Sequence, residues 1–149
     1  MSRFDLVVIG GGPAGYVPAI RAAQLGRRVA VVEQTNIGGT CLNRGCIPTK
    51  AFAATAELLR AGASASRMGL SGTLSIDFGS ASKRKDMVVT RLRKGIEARL
   101  SSLGIELVRG RGILKGPGAV DVEGRELAAS FILLSPGSRP FLPGPLGSC

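Results

Sequence analysis

Two cysteines, Cys41 and Cys46, stand close together in the run Gly38-Gly39-Thr40-Cys41-Leu42-Asn43-Arg44-Gly45-Cys46-Ile47-Pro48-Thr49-Lys50. Helix-forming residues continue from there to Arg60, so the spacing predicts one helix that begins at the cysteines. At a helix N-terminus the backbone N–H groups and the macrodipole favour a thiolate, and Lys50 adds a positive charge nearby. One of the two thiols is therefore expected to have a lowered pKa, and the pair to form a disulfide and exchange with others. Three other readings compete. A structural disulfide suits secreted chains, and the first strand is expected so early that no signal or transit peptide precedes it. A zinc site needs more ligands than are present, because the chain has no His and only one further Cys, Cys149. Two inert buried thiols remain as the competing reading of the cysteines taken alone.

The elements ahead of the cysteines bear on that choice. Asp5-Leu6-Val7-Val8-Ile9 is an apolar, β-branched run, the pattern of a strand buried on both faces. It leads into Gly10-Gly11-Gly12-Pro13-Ala14-Gly15, which reads as G-x-G-x-x-G. Gly10 permits a tight turn, Gly12 lets the backbone approach a pyrophosphate, and Gly15 lets a helix lie close to the strand. Pro13 suits the first helical turn, and a helix is predicted from Ala14 to Leu25 with Gly26 as its stop. Pro18 falls inside that helix and is expected to kink or shorten it, at a cost of about 3 kcal/mol. A second strand follows at 28–32, with Glu33 at its end, where a carboxylate can accept both hydroxyls of an adenosine ribose. Strand, glycines, helix, strand and terminal carboxylate together outweigh an unliganded βαβ unit.

Joined, these residues resemble one family. The run Gly39-Thr40-Cys41-Leu42-Asn43-x-Gly45-Cys46-Ile47-Pro48-x-Lys50 looks like the active-site signature of the flavin-dependent pyridine nucleotide–disulfide oxidoreductases. Leu42, Ile47, Gly15-Tyr16-Val17 and the run from Ala19 to Gly26 are most similar to dihydrolipoamide dehydrogenases. The resemblance runs from Asp5 to Pro140 and corresponds to the N-terminal flavin-binding region of longer polypeptides. It implies a Rossmann-like α/β FAD-binding fold, incomplete, with a parallel sheet, helices and a small β-meander. It implies FAD along Gly10, Gly12, Pro13, Ala14 and Gly15, with Glu33 on the adenosine ribose and Gly38, Gly39 and Thr40 along the pyrophosphate. Lys50 would sit beside the isoalloxazine ring. Cys46 would exchange electrons with the flavin and Cys41 with a disulfide or dithiol small molecule or a lipoyl group. Gly112 matches a backbone contact to the adenine end, and Ser135 and Gly137 match a turn against the cofactor.

The remainder reads more coarsely. Residues 62–72 are rich in Gly, Ala and Ser and are expected to form a loop. A helix is predicted over 80–103, and short strands over 105–108, 112–115, 119–122 and 131–134. Residues 1–140 are expected to form the FAD-binding domain and 141–149 a linker or tail. Twenty Lys+Arg against ten Asp+Glu give a net charge of +10, clustered at 83–85, 91–94 and 109–111. With one Tyr, five Phe and no Trp there is little for base stacking, so a solvated basic face is preferred to nucleic-acid binding. No segment is long and apolar enough to span a bilayer, and a reducing, cytoplasmic location is expected.

The chain also departs from the family pattern. It has no second glycine motif, hence no NAD site unless another domain supplies one. These residues are not expected to include the interface domain through which family members homodimerise, and they contain no His for the acid–base pair and no Gly-Asp for the ribityl chain. Pro136 stands where the family has Thr. Two readings follow: the flavin and dithiol portion of a dihydrolipoamide dehydrogenase-like enzyme, passing electrons from a dithiol through Cys41 and Cys46 to FAD and on to NAD, or a truncated or degenerate, non-catalytic remnant that keeps the fold.

Overall fold

The computed structural model describes residues 3–139, and the tail expected at 141–149 lies outside them. The chain opens with β1 (Phe4–Ile9), α1 (Pro13–Gln24) and β2 (Val29–Glu33). β1 and β2 are parallel neighbours, in register from Leu6 opposite Val29 to Ile9 opposite Val32, with the glycines at the turn between them. Successive side chains enter opposite cores. Val7 and Ala30 join one cluster, Val8 and Val31 the other, and all are fully buried. Burial on both faces is why these strands are continuous apolar runs rather than alternating ones.

α1 carries Pro13 in its first turn and ends before Gly26, whose φ of 76° suits a left-handed stop. The shortening expected at Pro18 does not occur, and the helix continues to Gln24. Pro18 leaves the Ala14 carbonyl without its usual amide partner. Ala14 and Pro18 are both exposed, so water satisfies the carbonyl.

Three further helices follow: α2 (Gly39–Asn43), α3 (Cys46–Ala63) and α4 (Phe78–Ser102). α3 and α4 meet through Phe52 and Phe78, whose rings stack with centroids 5.5 Å apart. α4 begins at Phe78 because Asp77 caps it, accepting hydrogen bonds from Ser80 N at 3.2 Å and Ser80 Oγ at 2.6 Å. The segment 62–72, expected as a loop, is partly helical: α3 runs through Ala63 and a 3-10 turn spans Ala65–Met68. Its alanines sustain the helix beyond the first glycine, Gly62.

The remaining strands are β3 (Glu106–Arg109), β4 (Gly112–Gly116), β5 (Ala119–Val122) and β6 (Arg125–Leu134), and the strand order is β3-β2-β1-β6-β5-β4. β6 was expected to start at Phe131 but starts at Arg125. Its residues 125–128 pair antiparallel with β5, and from Ala129 onward it pairs parallel with β1. Ala128-Ala129-Ser130 lacks strand-forming side chains, so the pairing partners, not local propensity, set the extended conformation. The sheet is packed on one face by α1 and α4 residues such as Ala19 and Leu100, and on the other by meander residues such as Val120, Val122 and Leu127. Among the described residues no helix is long and apolar enough to cross a membrane.

Candidate functional site

The turn after β1 is shaped by close backbone approach. A Cβ on Gly15 would lie 1.9 Å from the Gly10 carbonyl oxygen, and a Cβ on Gly10, whose φ is 105°, would lie 2.0 Å from the Ser135 carbonyl oxygen. No other residue fits either position. Ser135 is drawn to the same turn. Its N–H donates to Ile9 O at 2.8 Å, and its hydroxyl lies 3.1 Å from Ile9 O and 3.0 Å from Gly10 O. Gly12 is different. Its φ of −74° and ψ of −179° are ordinary extended backbone, and a Cβ there would meet only Gly39 Cα at 3.7 Å. Packing does not demand glycine at this position. Gly12 stands just before the first turn of α1, where Pro13 and Ala14 lie exposed, and the space a side chain there would fill is open.

Glu33 ends β2 beside this turn. Its Oε2 accepts from Gly11 N at 2.9 Å, and its Oε1 accepts from Thr35 N at 2.8 Å and Thr35 Oγ1 at 2.9 Å. Gly11, an unspecified position of the glycine motif, is closely packed: a Cβ would lie 2.5 Å from Ile37 Cδ1 and 3.1 Å from Glu33 Oε2. A cleft of about 260 Å³ opens here, lined by Gly10, Glu33, Gln34, Arg111, Gly112 and Pro136 among others. Gly112 therefore does join Glu33 and Gly10. A Cβ on it would be 3.2 Å from Ile9 Cγ2 and Val32 Cγ1, so its small size sets β4 against the ends of β1 and β2. Gly137 is exposed, with nothing within 4 Å of a Cβ, and its φ of 79° shapes the chain after Ser135.

The cysteine segment docks on the same turn through its own glycines. Gly38 N donates to Gly11 O at 2.8 Å, and a Cβ on Gly39 would lie 2.8 Å from Gly12 Cα. Thr40 follows, exposed, in α2. The single helix expected across both cysteines is two helices, broken at Arg44 and Gly45. Gly45 makes the break workable, since a Cβ there would sit 3.2 Å from Thr40 O and 3.7 Å from Cys41 Cα. This approach brings Cys46, the first residue of α3, round to Cys41. Both are free thiols, Cys41 half-buried and Cys46 exposed, and they share a hydrogen bond. That bond holds the Cys41 thiol above its ordinary pKa, and partial burial and the neighbouring Cys46 sulfur push the same way. Lys50 opposes the shift but is the smallest influence, so Cys41 is not a thiol of lowered pKa. Lys50 lies four residues after Cys46 on α3, which puts the two on one helix face. Asn43, quoted within the motif but given no role, pins the segment: its Nδ2 donates to Ile37 O at 3.1 Å and Gly39 O at 2.9 Å. Thr35 and Arg109 also escaped the sequence reading. A hydroxyl residue two positions after a strand-end carboxylate is a usable signal for the first, whereas Arg109 read only as part of a basic cluster.

Known proteins match this arrangement. A sequence description of the pyridine nucleotide-disulphide oxidoreductases matches residues 4–148. The dihydrolipoyl dehydrogenase of Acholeplasma laidlawii is 37% identical over 143 residues, covering 95% of this chain and 43% of that protein. That of Thermus scotoductus is 41% identical over 140 residues, covering 94% and 30%. The HOCl-induced flavoprotein disulfide reductase RclA from Escherichia coli, solved as its Cu(II) complex, superposes with a TM-score of 0.80 at 30% identity, over 97% of this chain and 31% of that one. The chain thus spans 30% to 43% of the length of these relatives. Its architecture is the Rossmann-like FAD-binding portion of flavoprotein disulfide reductases. The chain belongs to the pyridine nucleotide-disulphide oxidoreductase family.

Proposed function

We propose that this chain carries the FAD site and the redox dithiol of a dihydrolipoamide dehydrogenase-type oxidoreductase. The observation that carries the reading is Gly12. Gly10 and Gly15 are required by internal packing, whereas Gly12 leaves open space beside a helix N-terminus and beside Gly39. The cleft that holds Glu33 and Gly112 is lined by Gly10, at the start of the same turn. Gly12, Gly38, Gly39 and Thr40 would hold the pyrophosphate, Glu33 and Gly112 the adenosine, and Lys50 would flank the flavin ring. Bound FAD supplies two-electron transfer between a dithiol and a nicotinamide. The chain's own part is thiol–disulfide exchange. A substrate thiolate attacks the Cys41 sulfur of a Cys41–Cys46 disulfide, the bond to Cys46 breaks, and a second substrate thiolate displaces Cys41 to leave the substrate oxidised and the pair reduced. A dithiol small molecule or a lipoyl group fits that chemistry. NAD would be engaged through a domain outside this sequence, in a cytoplasmic homodimer of the kind the family forms.

A second reading, a chain that keeps the fold and binds flavin weakly or not at all, is favoured by one observation. Pro136 lines the adenosine cleft and brings neither an N–H nor a hydroxyl to it. One set of measurements separates the two. FAD fluorescence is titrated with the chain, thiols are counted with and without reductant, and dithiol-dependent NADH formation is assayed. The first reading expects saturable, weak flavin binding, loss of two thiols on oxidation, and no NADH formation by this chain alone. Absence of flavin binding at millimolar FAD would replace it with the second.

A further inference from the structure

Glu33 is held more completely than the task of gripping a ribose requires. An ionised carboxylate offers about four acceptor sites. Oε1 already accepts from Thr35 N and Thr35 Oγ1, at 2.8 and 2.9 Å, and Oε2 accepts from Gly11 N at 2.9 Å. About one site is left, on Oε2, the oxygen beside the glycine turn. Thr35 is itself clasped from the far side. Its carbonyl accepts from Arg109 Nη1 at 2.6 Å, and Arg109 Nη2 is ion-paired to Glu97 of α4 at 2.5 Å. The next residue after Arg109 closes the ring, because Gly110 N donates to Glu33 O at 3.1 Å. The Arg109–Glu97 pair is substantially exposed, so it adds little to stability, and its consequence is geometric.

We propose that Thr35, clasped by Arg109, is a positioning residue that leaves Glu33 a single acceptor for an adenosine ribose, so that the site reads one ribose hydroxyl and not two. The proposal rests on the flavin reading above and narrows it to the adenosine end. The test is calorimetric titration of the full chain with ADP, 2′-deoxy-ADP and 3′-deoxy-ADP, in the native sequence and in Thr35→Val and Thr35→Ser. In the native chain one deoxy nucleotide binds within about twofold of ADP and the other roughly tenfold more weakly, the loss of one charge-assisted hydrogen bond. Thr35→Val frees an acceptor on Oε1, so both deoxy nucleotides fall roughly tenfold below ADP. Thr35→Ser keeps the hydroxyl and restores the native pattern. A purely structural role for Thr35 would weaken all three nucleotides together and leave their ratios unmoved, which overturns the proposal. So does equal weakening of both deoxy nucleotides in the native chain. Failure of a folded native chain to bind any of the three overturns the flavin reading as well, which separates the two failures.

Discussion

The glycine turn after β1 and the cysteine segment around Gly45 touch through their backbones, yet they are held in different ways. At the turn, closeness is enforced. Gly10 and Gly15 leave no room for a methyl group, Ser135 bonds to both carbonyls of the bend, and Glu33 bonds to its amide. In the cysteine segment the same closeness is looser. Gly45 sits 3.2 Å, as a hypothetical Cβ, from the nearest atom, and Cys46, Thr40 and Lys50 face outward. A region closed on itself is a scaffold, and a region that leaves its reactive groups outward is built for something that arrives. The turn's geometry is complete within this chain, while in the cysteine segment the Cys41 thiol is held above its ordinary pKa by Cys46.

The sharpest way to break this contrast is Gly15→Ala. With a Cβ 1.9 Å from a backbone carbonyl, the variant is expected to lose on the order of 4 kcal/mol, enough to unfold much of the population, as read by urea denaturation. Pro18→Ala acts in the opposite direction in the same region. It restores the amide partner of Ala14 and is expected to gain roughly 1–3 kcal/mol, raising Tm by several degrees in a thermal melt. An unchanged Tm would show that the helix already absorbs the ring without cost.

Gly12→Ala tests whether the turn contains a position kept for a ligand. Stability should stay within about 0.5 kcal/mol of the native chain, while FAD binding by fluorescence weakens at least about tenfold. A matching loss of stability would make Gly12 part of the scaffold. Gly45→Ala is the counterpart in the cysteine segment. It should cost under about 1 kcal/mol by denaturation, yet slow Cys41–Cys46 disulfide formation in a thiol-loss time course, because Thr40 O must give way.

The smallest effect is on pH dependence. The Cys41 thiol is raised in the folded state, so its contribution to stability is fully present below the ordinary thiol pKa of about 8.5 and is lost as pH rises through the higher folded value. Cys41→Ala should flatten the alkaline fall of Tm. Asp77 is the mirror case. Its hydrogen bonds with Ser80 hold its carboxyl below the usual range, so its contribution is present above about pH 3.9 and disappears as pH falls through the lower folded value.

The same contrast decides what was legible from sequence. β1, β2 and the turn were readable because double-sided burial and glycine sterics leave direct marks in residue type, as at Val7, Val8, Gly10 and Gly15. α4 is readable from its periodicity, although it starts two residues earlier than the apolar spacing indicates, because the Asp77 cap and not the periodicity sets its first turn. The break at Arg44 and Gly45 did leave a local mark, Gly45 and Pro48, because Pro48 has no N–H for the Arg44 carbonyl and suits only the first turn of a new helix; the close approach of Gly45 to Thr40 that accompanies the break leaves none. The first half of β6 was missed for a related reason: Arg125-Glu126-Leu127-Ala128-Ala129 is extended because β5 and β1 make it so. Glu33 was found by its place at a strand end. The residues that hold it, Thr35 and Arg109, belong to elements whose proximity no local pattern records.

β6 is a single strand shared by two ladders, antiparallel to β5 in its first part and parallel to β1 in its second. Its side chains Ile132 and Leu133 enter opposite cores. A one-residue slip against either neighbour would exchange those faces, and it cannot happen against one neighbour alone. The three-stranded meander, too small to be robust by itself, therefore inherits the cooperativity of the parallel sheet. Val120, Val122 and Leu127 of the meander share a buried cluster with Val7 and Ala30, so detaching the hairpin uncovers that face of the sheet; its amide protons should exchange more slowly than those of an isolated hairpin, while Ser135, just past the parallel ladder, stays bonded to Ile9 O.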